Sequence, residues 1–333
     1  MKKVSVLFIF CMVILVFASC DLLNDVYDFY TSDNPVIGNN NSTTAEVVSE
    51  ESKASLKIDK DLKIVALGDS ITRGYGLGNP EKERFTALVA EQLEKIYNHV
   101  EVTNYAVDGM TSSGLLDLLE SGGAEKLKEA DIVMLCIGAN NVLQYAADLF
   151  LHDNTDIQKL LEAYGSFLLG DRSNTDVPQA VKAYFEKVTA YASSPEFTIK
   201  LEDGLAKLRE DIPVIISFIR KENPSAKIYF ANVYSPYKCM NITLPYVETI
   251  LPLGDLSDQN VEKINKIIDD LKDAGGYTVV DVYTRFKNSR EKIINAGLDL
   301  STMNINFDPH PNKRGHALIA DEYISVLTED YIP

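Results

Sequence analysis

The chain has 333 residues, enough for one large domain or two small ones with a sizeable core. Hydrophobic residues make up 46% and charged residues 24%, a globular profile with no dominant low-complexity class. The formal charge of −17 argues against binding nucleic acid or an anionic surface through basic patches, so no nucleic-acid partner is expected.

The N-terminus reads as a targeting segment. "MKK" supplies a short positive region, residues 4–17 are an apolar run, and the polar "DLLND" follows "ASC". The run is too short and wrongly flanked for a stable transmembrane anchor, so a secretory signal over 1–19 is expected. Phe17-Ala18-Ser19-Cys20 resembles the lipobox of bacterial lipoproteins. That resemblance implies lipid on the Cys20 sulfur and an extracytoplasmic protein anchored to the bacterial cell membrane; the alternative is an ordinary secretory signal. Removal of Lys2 and Lys3 would take the formal charge from −17 to about −19. Cys136 and Cys239 would then be the cysteines left after Cys20, either as two thiols or as a disulfide. Residues 20–60 are polar and aperiodic and read as a lipidated tether, leaving 61–333 as the folded domain.

From there apolar runs and helical segments alternate. "LKIVALGDS" (62–70) is a strand ending in a Gly-Asp-Ser turn, and 81–97 has helical apolar spacing. A second strand is expected over 100–107, a short helix over "SSGLLDLLESG", and a third strand over 130–141. Residues 226–237 and 277–286 supply the fourth and fifth, and 312–331 a last helix. Short buried strands separated by helices imply α/β architecture with a central parallel sheet of about five strands, covered on both faces. The connection before the fourth strand is too long for a plain crossover, at roughly 85 residues. Its end, 202–224, reads as the crossover helix, with a kink or start at Pro213. The rest, about 142–200, is a helical insertion rich in aromatics, among them Tyr145, Phe150, Tyr164, Phe167, Tyr184, Phe185 and Tyr191. It is either a lid or acyl pocket, or a packed insertion whose aromatics form its own core.

Ligands of open parallel sheets bind beyond the carboxyl ends of the strands. Gly68-Asp69-Ser70 follows the first strand, Asp108-Gly109 the second, and Gly138-Ala139-Asn140-Asn141 the third; Asp308 and His310 precede the last helix. A hydroxyl, an unhindered backbone amide, a side-chain amide and an imidazole at one edge are the parts of an acyl-transfer centre. Ser70 is the candidate nucleophile, with His310 the available base, since a serine hydroxyl needs one to take its proton. Gly109 offers an N–H that no side chain blocks, and Asn140 a side-chain N–H. His316 falls within the last helix and reads as structural, Asp69 as a turn former, and Arg73 as either an anion ligand or a local cap. No spacing resembles a metal centre and no glycine-rich loop fits a phosphate, so no cofactor is expected.

"ALGDSITRGYG", "NYAVDGMTSSGLL", "LCIGANN" and "DPHPNKRGHALIA" resemble, in order, the sequence blocks of the SGNH hydrolases, also called the GDSL lipase/esterase family. The resemblance spans about 62–329. It implies a flavodoxin-like three-layer α/β/α sandwich, with Ser70 as nucleophile, His310 as base, and an oxyanion hole from Ser70, Gly109 and Asn140. The family's third block ends in aspartate, where this chain has Asn141. Its last block places the acid three residues before the histidine, whereas Asp308 lies two before it. The group orienting His310 is therefore Asp308, a backbone carbonyl near Asn306 or Phe307, or Asp281, in that order. The resemblance implies a substrate among lipids, small esters, thioesters and acetylated sugars, and the aromatic-rich insertion makes a lipid or short-chain acyl ester the first expectation. A carbohydrate O-acetylesterase and a non-catalytic binding lipoprotein on the same fold are the alternatives.

Overall fold

Five apolar runs pair into one parallel sheet in the computed structural model, which describes residues 57–151, 155–299 and 304–331. They are β1 (Ile58–Gly68), β2 (Tyr97–Asn104), β3 (Ile132–Cys136), β4 (Lys227–Ala231) and β5 (Thr278–Val280), arranged β2-β1-β3-β4-β5. Ile64 stands opposite both Val102 and Ile132, Val133 opposite Ile228, and Phe230 opposite Val279. This is the flavodoxin-like order, in which the chain reverses direction across the sheet between β1 and β3. The signal segment, Cys20 and the tether as far as residue 56 lie outside the described residues.

Alternate strand residues face opposite ways, and here both faces are buried. Leu62, Ile64 and Ala66 face α2 (Phe85–Leu93) and the final helix, through Phe85, Val89, Leu318 and Tyr323. Val65, Leu67, Val133 and Leu135 face the other layer, where Leu115, Leu119, Leu208, Ile212 and Ile264 pack. The architecture is thus the expected three-layer α/β/α sandwich. Leaving aside the single turns Pro80–Glu83 and Lys272–Gly275, its helices in chain order are α1 (Ser70–Arg73), α2, α3 (Ser112–Glu120) and α4 (Ala139–Leu143). The insertion follows as α5 (Ala146–Leu151), α6 (Ile157–Leu168) and α7 (Val177–Ala192). Then come α8 (Pro195–Glu222), α9 (Leu253–Asp270), α10 (Val282–Asn288) and α11 (Lys313–Tyr331).

Several boundaries depart from expectation for identifiable reasons. The helix expected to reach residue 97 stops at Leu93, because Tyr97 pairs with Ile58. That pairing also starts β1 inside the stretch assigned to the tether. The fifth strand ends at Val280, where Asp281 caps α10 by accepting a hydrogen bond from the Thr284 N–H at 3.1 Å. Pro213 neither starts nor ends the crossover helix: α8 runs through it. An interior proline costs about 3 kcal/mol. Leu205, Leu208, Ile212, Ile215, Ile216 and Ile219 are all buried along the same helix, and each contributes about 1.5–3 kcal/mol, so burial wins.

The insertion has a hydrophobic core of its own. Tyr164, Val181, Tyr184, Phe185 and Val188 are buried there, together with Phe197 and Leu201 from the start of α8. A hairpin, Asn241–Thr243 with Ile250–Pro252, adds Ile242 and Leu251 to it. Neither this hairpin nor α9 was anticipated from the sequence. Tyr164 donates its hydroxyl to the Pro245 carbonyl, tying α6 to the hairpin. For Tyr164, Tyr184 and Phe185, self-packing is the reading the structure supports.

Candidate active site

Ser70 opens α1 directly beyond β1 and is 8% exposed. The turn that presents it is fixed on both sides. Asp69 caps the helix, its Oδ1 accepting from the Ile71 N–H at 3.0 Å. Gly68 lets the strand end press against its neighbours, since a Cβ there would lie 2.3 Å from Thr72 Oγ1 and 2.4 Å from the Cys136 carbonyl. Burial pushes the Asp69 carboxyl up to about 7, against hydrogen bonds that pull it down.

His310 Nε2 lies 2.8 Å from Ser70 Oγ, and its Nδ1 lies 2.5 Å from Asp308 Oδ1. The two-residue spacing works because Asp308 folds back on itself. Its Oδ1 also accepts the His310 backbone N–H at 3.1 Å, an Asx turn that brings carboxylate and ring together. Asn295 Nδ2 donates to the other oxygen at 2.8 Å, and the Asn306 side chain accepts the Asp308 N–H at 2.9 Å. Burial raises the Asp308 carboxyl, but the hydrogen bonds from His310 and Asn295 outweigh it and leave the group below the usual carboxylate range. The loop is further pinned by Tyr234, whose hydroxyl donates to the Pro309 carbonyl at 2.8 Å. Tyr237 donates likewise to the Phe307 carbonyl, at 3.0 Å. The Phe307 carbonyl is thus engaged elsewhere, and Asp281 serves α10 and Asn232. Asp308 is the partner of His310 here.

Gly109 sits at φ +72, where L side chains are strained, and its Cβ position is open. Its neighbours anchor it: Asp108 pairs with Arg73, and the Met110 carbonyl accepts from Asn140 Nδ2 at 3.0 Å. A second contact of the same Nδ2, at 3.4 Å to Asp69 Oδ2, is long and leaves that N–H available to a better acceptor. Arg73 therefore pairs with a carboxylate of the loop after β2, a contact that neither of its two sequence readings named.

Asn141 fills the aspartate position of the third block with two hydrogen bonds that join the start of α4 to the start of α3. Its Oδ1 accepts the Ser112 N–H at 3.0 Å and its Nδ2 donates to Ser112 Oγ at 2.8 Å. A carboxylate is present one step further out. Asp211 of α8 is 1% exposed and accepts from Ser112 Oγ at 2.8 Å and Ser113 Oγ at 2.7 Å. Lys207 meets its other oxygen at 2.7 Å. Sequence reading passed over Asp211, Asn295, Tyr234 and Tyr237. Asp211 had one signal, an acid on the apolar face of a helix; the others had none.

An apolar cleft, open to solvent at its mouth, leads away from Ser70, Asn140 and His310. Leu143, Phe150, Phe197, Leu201, Val233 and Leu253 are among its walls. Phe150 comes from the insertion and lies against Phe307, ring centroids 4.4 Å apart. For this aromatic, unlike Tyr164 or Phe185, the pocket reading applies.

A sequence model described as the GDSL-like Lipase/Acylhydrolase family matches residues 66–318, from the Ser70 turn to α11. The chain belongs to that family. The chain is also 26% identical over 285 residues to the uncharacterized protein YpmR of Bacillus subtilis (strain 168), covering 83% of this chain and 86% of that one. Among solved structures, the GDSL-like fold is shared with the lipase Lip_vut3 from a goat rumen metagenome. The TM-score is 0.50 at 18% identity, over 79% of this chain and 96% of that one. Phospholipase A1 from Streptomyces albidoflavus NA297 aligns with a TM-score of 0.48 at 18% identity, over 80% and 98%.

The other candidates of this GDSL-like chain fall outside the centre. His316 is fully buried, its Nδ1 accepting from the Phe85 N–H at 3.3 Å, and burial pulls its imidazole down to about 4. It packs against Phe85, as a structural histidine would. Cys136 is buried in β3 and Cys239 is exposed, with no disulfide between them. Among the described residues, no cluster of three His, Cys, Asp or Glu is placed to hold a metal ion.

Proposed function

We propose that the protein is a serine ester hydrolase that cleaves lipid or short-chain acyl esters through an acyl-enzyme on Ser70. The observation that carries this reading is the unbroken chain Ser70–His310–Asp308 at the mouth of an apolar cleft. His310 takes the Ser70 proton as Oγ attacks the ester carbonyl. The oxyanion is met by the Ser70 and Gly109 amides and by Asn140 Nδ2, each such donor being worth on the order of 3 kcal/mol in the transition state. His310 then gives its proton to the departing alkoxide, and water deprotonated by the same nitrogen releases the acid. Asp308 holds the imidazole in the tautomer that leaves Nε2 as the acceptor.

The cleft favours an acyl chain over an acetyl group, because an acetyl would leave most of its apolar wall in contact with water. The test is labelling by a fluorophosphonate, followed by rates on p-nitrophenyl esters of rising chain length. Labelling of the protein but not of Ser70→Ala is expected, with rates rising beyond acetyl. Equal labelling of both would remove the reading, and activity confined to acetyl esters would hand it to a carbohydrate O-acetylesterase.

The place of action proposed is the outer face of the bacterial cell membrane, through lipid on Cys20. The support is the order Lys2-Lys3, apolar run, Phe17-Ala18-Ser19-Cys20. Cys20→Ala is expected to move the protein out of the membrane fraction; if it stays there, the lipid anchor is not what holds it.

A further inference from the structure

The cleft accounts for one side of Ser70 only. Tyr75, Arg73, Val107 and Asp108 are absent from its wall, yet Tyr75 and Val107 are tied to the Ser70 turn, the Val107 N–H donating to the Gly68 carbonyl at 3.2 Å. Tyr75 is 51% exposed and Val107 48%. The Tyr75 ring nevertheless leans on the His310 imidazole, with centroids 4.5 Å apart and planes at 37°, and its N–H donates to the Ser70 carbonyl at 2.9 Å. Beside it the Arg73 guanidinium holds the Asp108 carboxylate, and both remain partly open to solvent.

The chemistry decides which half of an ester comes here. His310 Nε2 protonates the alkoxide as the carbon–oxygen bond breaks, so that oxygen must lie beside Nε2. Water then occupies the same place, gives its proton to Nε2 and attacks the acyl-enzyme. The leaving-group position is therefore one that water reaches. A wall that is mostly apolar is the poorer side for a step that needs ordered water, so the acyl chain takes the cleft and the alcohol leaves past Tyr75.

We propose that Tyr75 and the Arg73–Asp108 pair form an alcohol subsite for a neutral, hydroxyl-rich leaving group such as glycerol or a sugar. The proposal rests on the serine-hydrolase reading above. The ring offers its face to the C–H surface of a polyol. The guanidinium donates and the carboxylate accepts, which matches adjacent hydroxyls that do both. A fatty alcohol would stay against water on this side, and an anionic one would meet Asp108 and a chain of net charge −17.

The subsite is read by running the second step with an alcohol in place of water. A polyol hydroxyl attacks the acyl carbonyl and gives its proton to His310. His310 passes that proton to Ser70 Oγ as the serine–acyl bond breaks, and a polyol ester results. With p-nitrophenyl octanoate as donor, the acceptors are glycerol, methyl glucoside and 1-hexanol at equal concentration. The wild-type protein is expected to transfer octanoate to a polyol in preference to hexanol; glycerol over glucoside assigns a glycerolipid, the reverse a sugar ester. Tyr75→Ala is expected to lower the transfer-to-hydrolysis ratio for the polyol about tenfold, with Tyr75→Phe close to wild type and Arg73→Gln lowered as well. Preference for hexanol, or an unchanged ratio in both Tyr75→Ala and Arg73→Gln, would overturn the subsite. Nitrophenol release without any acceptor reports on the hydrolase reading alone: its absence removes that reading, whereas release without polyol transfer removes only the subsite.

Discussion

At the sheet edge, Ser70, Asn140 and His310 are held by backbone that cannot shift without disturbing strand pairing or a capped turn. Across the cleft, Phe150 and its neighbours are held by packing within the insertion and against the hairpin. The two regions face the same space, are held by different kinds of contact, and meet where Phe150 packs on Phe307. The difference teaches that geometry for chemistry and shape for selectivity come from different kinds of interaction. The first depends on a few short polar contacts and the second on bulk apolar burial. Substitutions on the two sides should therefore separate cleanly, in rate at the edge and in stability at the insertion.

The largest separation is expected at the edge. His310→Ala should lower kcat/KM by on the order of 10³-fold or more, while its melting temperature stays near that of the wild type. Asp308→Ala should follow at about 10²–10⁴-fold, because the imidazole loses the partner that fixes its tautomer. Near-wild-type rates for Asp308→Ala in a steady-state assay would remove it from the triad despite the 2.5 Å contact. On the other side, Phe185→Ala should cost about 3–5 kcal/mol in denaturant melts, because a fully packed ring leaves a cavity. Its kcat on an acetyl ester, which needs little of the wall, should fall less than threefold, about 0.7 kcal/mol. A large loss of kcat there would show that the insertion core also sets the catalytic geometry.

Asp211 is where the comparison should bend. It sits on α8, the helix whose start belongs to the insertion core, yet it binds Ser112 behind the oxyanion loop. Asp211→Ala leaves two serine hydroxyls and the Asn141 contact without their anchor, at a cost of about 2–3 kcal/mol. It should also lower kcat about tenfold with little change in KM, since the loop carrying Gly109 is positioned through Ser112. Asp211→Asn, which keeps one acceptor, should recover part of kcat. A loss of stability alone, with kcat intact, would assign the network to folding only.

How much of this was legible in the sequence follows the same division. The strand-end residues were readable because a parallel sheet brings its carboxyl ends together whatever lies between them, so order along the chain translates into proximity. The Asp308–His310 pairing was readable as a candidate but not as geometry: the Asx turn that makes two-residue spacing work is a local hydrogen bond with no periodicity to reveal it. Asn295 and Tyr234 were invisible because their contacts span loops that nothing in the pattern aligns. In the insertion, apolar spacing announced helices, but sorting Phe150 into the cleft wall and Phe185 into the core required knowing what packs on each face. The hairpin at 241–252 and α9 were missed outright, and Asp281 ended the last sheet strand early by capping a helix that reads as β-rich sequence.

The last expected effect is one of pH rather than of rate and concerns Asp69, which touches both sides of the comparison through the Ser70 turn and the cleft mouth. Its carboxyl is 1% exposed, and burial raises it to about 7 from an ordinary 3.8. Between those two values the folded protein holds a proton that the unfolded chain has already released. Stability from this group is therefore greatest below about pH 4, declines as pH rises toward 7, and changes no further above that. Asp69→Asn keeps a side-chain oxygen to accept the Ile71 N–H, so the helix cap survives while the titration disappears. Melting temperatures of the two proteins should be close at pH 4 and diverge toward pH 7, with the Asn form the more stable. A parallel pair of curves over that range would mean that Asp69 stays ionised inside the fold. Its negative charge would then sit beside Asn140 Nδ2 and compete with the oxyanion for that donor, which would make the cap a brake on the same chemistry it positions.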